Sequence, residues 1–119
     1  MLPTVDGEAM AEMTPAHSAV EMGNILDLRS LLDSGVDVNE DWNGFTLLHH
    51  SIDREGDDHV QSGEPLHVDA TALLLARGAD MSRRTGDHMT AEDIARRNGH
   101  WLAIELFEAW RKLMNVSGH

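Results

Sequence analysis

Leu28, Leu31 and Leu32 recur at the spacing that puts three side chains on one stripe of a helix. That spacing predicts a short buried helix, closed by Gly35. An earlier helix is predicted to start at Thr14-Pro15: the threonine hydroxyl can accept a hydrogen bond from a first-turn amide, and proline sits where a missing N–H costs nothing. Gly23 and Gly99 each stand nine residues after a threonine, where a left-handed residue ends a first helix and lets the chain turn into a second. From Val36 to Phe45 apolar and polar residues alternate into Asn43-Gly44, a dipeptide suited to a tight primed turn, so a hairpin finger is expected there.

The same punctuation returns twice. Thr46-Leu47-Leu48-His49-His50-Ser51-Ile52 precedes Leu74-Leu75 and Gly78-Ala79-Asp80-Met81-Ser82, and Thr90-Ala91-Glu92-Asp93-Ile94-Ala95 precedes Gly99-His100, Ile104 and Phe107. Helix, turn, helix and finger form the unit, and three units are expected. Thr14 and Thr46 are 32 residues apart, whereas Thr46 and Thr90 are 44 apart. Thr14 to Gly35 takes 21 residues and Thr46 to Gly78 takes 32, which places 11 extra residues between the two helices of the middle unit, within about 53–67. Glu55-Gly56-Asp57-Asp58-His59 is polar and helix-averse, so a long acidic loop is expected, with Pro65 in the first turn of a lengthened second helix reaching Ala76.

This pattern resembles the ankyrin repeat. Thr14-Pro15-Ala16-His17-Ser18-Ala19 follows the family's T-P-L-H-x-A signature with one substitution, and the first spacing is close to its period of about 33 residues. Leu31-Leu32-Asp33-Ser34-Gly35-Val36-Asp37-Val38-Asn39 is similar to the family's L-L-x-x-G-A-D-V-N, and Asp41-Trp42-Asn43-Gly44-Phe45-Thr46 to its D-x-x-G-x-T turn. The resemblance implies an all-α solenoid of three helix-turn-helix units with hairpin fingers, at 14–45, 46–85 and 86–113. Residues 1–13 would be an N-terminal tail or cap, since Ala9 and Glu12 stand where the family has Asp and Gly, and 114–119 a C-terminal tail. Ile94, Ala95, Leu102, Ile104, Leu106, Phe107, Trp110 and Leu113 are expected to be mostly core, with Trp101 and Trp110 shielding the open end.

Composition narrows the function. The chain has 119 residues, enough for one domain, with 41% hydrophobic and 25% charged residues. Nine basic residues against 21 acidic ones give a net charge of −12, which argues against nucleic acid or an anionic membrane as partner. The acidity is uneven, because residues 1–69 carry 15 acidic and two basic residues. With no cysteine, thiol nucleophiles, thiolate zinc sites and disulfides are excluded, and a reducing cytoplasm is the default expectation. No segment of the sequence reads as a bilayer span or a leader.

Eight histidines beside many carboxylates raise a metal reading, centred on His49 and Asp53 at i, i+4 and joined by His50, His59 or His67. The stronger reading is structural: in the resembled family the histidine at His17 and His49 bonds backbone groups of neighbouring turns. No nucleophile elbow or phosphate-cradling glycine loop is present, so no enzyme, cofactor or resident metal is expected. Arg83-Arg84 and Arg96-Arg97 read as solvated or paired.

Trp42 lies beside the finger's turn and Phe45 follows it, which makes them either an exposed binding anchor or residues covered by the insertion or the preceding repeat. By resemblance, the recognition positions are Trp42, Asn43 and Phe45 of the first finger; Glu21, Met22, Asp53 and Arg54 on the first helices; and Asp87, His88 and Met89 on the second finger; Asp41 and His50 are expected at the same partner-binding surface. Asp57, Asp58 and Glu64 extend this surface into the insertion. Residues 53–69 hold six acids and one base, so the expected partner is a protein with a basic surface. An inhibitor or immunity protein neutralising a cationic toxin is the specific expectation, acting as a monomer or weak homodimer; a passive scaffold subunit and a metal-dependent hydrolase are the alternatives.

Overall fold

The computed structural model describes the backbone of residues 12–117 and side chains as far as residue 114. Six helices and one two-stranded ribbon follow in the order α1 (Pro15–Met22), α2 (Ile25–Asp33), β1 (Asp41–Trp42), β2 (Phe45–Thr46), α3 (Leu47–Ser62), α4 (Asp69–Ala76), α5 (Ala91–Asn98) and α6 (Trp101–Ser117). Apart from that ribbon, the regular structure among the described residues is all-α. Among the described residues no helix is long and apolar enough to cross a membrane.

The local chemistry explains the helix ends. Thr14, Thr46 and Thr90 each cap a first helix by accepting from the amide three residues on, at His17, His49 and Asp93. Gly23 and Gly99, with φ of 69° and 70°, end α1 and α5 in the left-handed region. The second helices close alike: the N–H of Gly35 donates to Leu32 O and that of Gly78 to Leu75 O, while Val36 and Ala79 reach back to Leu31 and Leu74. In the finger, Asp41 pairs with Thr46 and Trp42 with Phe45, and Asn43 and Gly44 both take positive φ, as a type I′ turn requires.

α3 lies between α1 and α5, α2 touches α4, and each first helix packs on the second helix of its own pair. Leu28, Leu47, Leu48, Ile52, Leu74, Leu75, Ile94, Ala95 and Phe107 form one core between these layers. Asn39 ties neighbouring pairs together from outside, its side-chain carbonyl accepting from Asp80 N–H at 2.8 Å.

Several expectations require correction. The insertion is not a long loop, because α3 continues unbroken to Ser62 before Gly63 ends it. Glu55 stands where the other two pairs carry their terminating glycine, nine residues after the capping threonine, and a residue with a Cβ resists the left-handed conformation. Gly56 stays helical and is needed there: a Cβ on it would lie 2.9 Å from Asn98 Nδ2 and 3.0 Å from Asn98 Cβ. Pro65 lies in the connecting segment, and α4 begins only at Asp69. The expected C-terminal tail is helical through Ser117, whereas most of the expected N-terminal tail lies outside the described residues. Trp101 and Leu113 are exposed and do not close the stack, while Trp110 is half-buried beside an open hollow lined by Met81 and Met114. The second finger has no strand pair; a bond from Thr85 N–H to Met89 O closes it instead.

Candidate functional site

Six of the residues singled out from the sequence line one groove: Glu21 from α1, Trp42, Asn43 and Phe45 from the finger, and His50 and Asp53 from α3, with Met13 at its rim. Its volume is about 350 Å³. The primed turn folds Trp42 back over the first helices, where it stacks on His50 with centroids 6.4 Å apart and leans on His17 at 6.0 Å. Trp42 is therefore half-buried, and the preceding hairpin together with α3 supplies the cover. Phe45 meets the His49 ring edge to face at 5.8 Å.

Beneath the tryptophan, the Nδ1 atoms of His17 and His50 lie 2.9 Å apart, so one ring donates to the other. His50 Nε2 lies 2.7 Å from Glu21 Oε1, and Glu21 also reaches Arg54 at 4.0 Å. Burial lowers the pKa of His17, and the neighbouring His50 lowers it further. Asp53 is shifted the other way: burial, then the like charge of Asp57, raises its pKa. The groove thus pairs an aromatic floor with a carboxylate whose surroundings disfavour its charge, an arrangement that a cationic side chain would relieve.

The remaining candidates lie elsewhere. Met22 is 74% exposed and lines a separate hollow with Pro15, Ala19 and Leu31. Asp41 and Asp57 point to solvent, Arg54 bonds Asp58 at 2.8 Å, and Glu64 is exposed in the segment after α3. Asp87 and His88 are exposed at the second finger, and Met89, half-buried, takes a contact from Arg97. The second finger does not line the groove.

His49 cannot anchor a metal as placed. Its Nδ1 accepts from Thr46 N–H at 3.0 Å and its Nε2 donates to Arg83 O at 3.0 Å, so both ring nitrogens serve the backbone. Burial lowers its pKa, in keeping with a neutral ring. Sequence reasoning missed a second polar centre. Glu55, 1% exposed, accepts from Thr71 Oγ1 at 2.8 Å and Thr71 N–H at 3.3 Å, and His100 Nε2 lies 3.2 Å from it. The N–H of Ala103 donates to His100 Nδ1, leaving Nε2 to donate to Glu55 and to His67 O. The only signal was a glutamate in the register of a glycine. His67 lies beside it, 2.5 Å from Asp69 and 3.6 Å from Asp58. Burial opposes its charged form, but Asp69, Glu55 and Asp58 outweigh this and raise its pKa.

No family model matches this chain, and no curated protein matches it.

Proposed function

We propose that this chain is a non-enzymatic protein-binding module of the ankyrin-repeat type, and that the groove around Trp42 grips a basic side chain of a partner protein. One observation carries the reading: Glu21, Trp42, Asn43, Phe45, His50 and Asp53, dispersed in sequence over three elements, line a single concavity. Trp42 and Phe45 offer the aromatic contact that anchors an interface, and Glu21 and Asp53 offer opposite charge to an arginine or lysine. The repeating caps, closing glycines and paired helices support the repeat assignment. A net charge of −12 favours a basic partner and disfavours nucleic acid and anionic membranes. Blocking the partner's surface, as an inhibitor or immunity protein in the cytoplasm does, is the role such a module would serve as a monomer or weak homodimer.

Affinity capture from the native host tests this. The wild-type chain should recover a defined basic protein, and Trp42→Ala or Glu21→Lys should each weaken capture by at least about tenfold. Circular dichroism of both variants separates lost binding from lost fold. Capture indifferent to salt and to both substitutions would overturn the proposal.

A further inference from the structure

The junction between α3 and α4 holds donor chemistry that the groove does not use. Glu55, His67 and Asp69 each offer one ligand atom, and those atoms lie within 4.8 Å of one another. They border a small cavity of about 40 Å³ whose remaining walls are polar at Ser51, Arg54 and Asp58 and apolar at Val20, Ile25 and Ala70. A space of that size is suited to one ion with a water molecule and is too small for an organic ligand.

The donors are held in place. A carboxylate can accept about four hydrogen bonds. Glu55 takes three, from Thr71 N–H, Thr71 Oγ1 and His100 Nε2, which orient it and leave one acceptor position open. Those partners stand to Glu55 as outer-shell groups stand to a metal ligand, locking a carboxylate before an ion arrives. His67 is steadied through its own carbonyl, which accepts from His100 at 3.0 Å. Its ring sits between Asp69 at 2.5 Å and Asp58 at 3.6 Å, positions an ion could share. Three carboxylates, Glu55, Asp58 and Asp69, face this cavity against one arginine, and Arg54 already bonds Asp58 at 2.8 Å.

We infer that Glu55, His67 and Asp69 form a binding site for one divalent metal ion of the zinc class, clipping α3 to the start of α4. One imidazole with two carboxylates suits zinc or cobalt, whereas calcium takes six to eight oxygen ligands. Three protein ligands leave a fourth position to water or to Asp58. The clip would fasten a weak point, since Val68 gives α4 no side-chain capping bond. The inference is independent of the groove and of its partner.

The test uses the full chain, freed of metal with a chelator and titrated with Zn²⁺ or Co²⁺. One ion per chain should bind, the melting temperature should rise with added metal, and Co²⁺ should shift and broaden the His67 ring resonances. His67→Gln and Asp69→Asn should each weaken binding by about tenfold to a hundredfold. His59→Gln should leave it unchanged, because His59 lies outside the cluster and bonds Glu64 O. Both ligand variants alter half-exposed or exposed positions and leave Glu55 in place, so loss of binding can be read in folded protein. Absence of stoichiometric binding, or binding that survives His67→Gln unchanged, overturns the assignment.

Discussion

His17 and His49 each follow a capping threonine by three residues and each is buried, yet they bond differently. His49 spends both nitrogens on backbone, at Thr46 and Arg83, while His17 turns Nδ1 to His50 under Trp42. Each is held below its ordinary pKa of 6.5, His17 by burial and His50, His49 by burial. The sign follows: the unfolded chain takes up these protons at higher pH than the folded one, so folding stability is full above 6.5 and falls as pH drops below it. Each histidine contributes up to about 1.4 kcal/mol per pH unit until its folded value is reached. Urea unfolding at a series of pH values between about 8 and 5 should show this decline, and His49→Gln should remove its share of the slope. A curve as flat in the wild type as in the variant would contradict the assignment of His49 as a neutral structural ring.

At the scale of elements, the threonine caps, the closing glycines and the primed turn were legible because each is written in adjacent residues. The extent of α3 was not. Asp57, Asp58 and His59 looked like loop, but Arg54 pairs with Asp58 one turn on, and Glu55 buries its carboxylate on Thr71 of α4 and on His100 in the turn between α5 and α6. Those partners lie 16 and 45 residues away, beyond any local pattern. The lining of the groove was legible, since Glu21, Trp42, Asn43, Phe45, His50 and Asp53 were all expected at the binding surface, but the contact of His17 with His50 beneath Trp42 depends on packing between α1 and α3. Gly56 gives this element its own prediction. In an exposed helix Gly→Ala gains about 1 kcal/mol. Here the new methyl would meet Asn98 at 2.9–3.0 Å, including its Cβ, which cannot swing aside. Gly56→Ala should therefore destabilise the fold by about 1–3 kcal/mol, and adding Asn98→Ala should recover part of the loss. A neutral or stabilising Gly56→Ala in denaturant unfolding would mean that α3 and α5 pack less closely than this.

Across the whole molecule, charge and contact are divided. Residues 1–69 hold 15 of the 21 acidic residues, and every residue lining the groove comes from that acidic stretch, whereas six of the eight arginines follow it. A field of one sign acts over a distance set by salt and governs how fast an oppositely charged partner arrives. A half-buried aromatic contact acts only after docking and governs how slowly the partner leaves. The two should therefore separate in binding kinetics. With the captured partner immobilised, raising ionic strength from about 0.05 to about 0.5 M should slow association by about tenfold or more and change dissociation little. Glu21→Lys should likewise act mainly on association, since its side chain is half exposed at the rim. Trp42→Ala should do the reverse, speeding dissociation about tenfold or more while leaving the salt dependence of association intact. If both substitutions changed the same rate constant, steering and anchoring would not be separate functions of the acidic face and the aromatic groove, and the partner's basic residue would have to engage charge and ring in a single step.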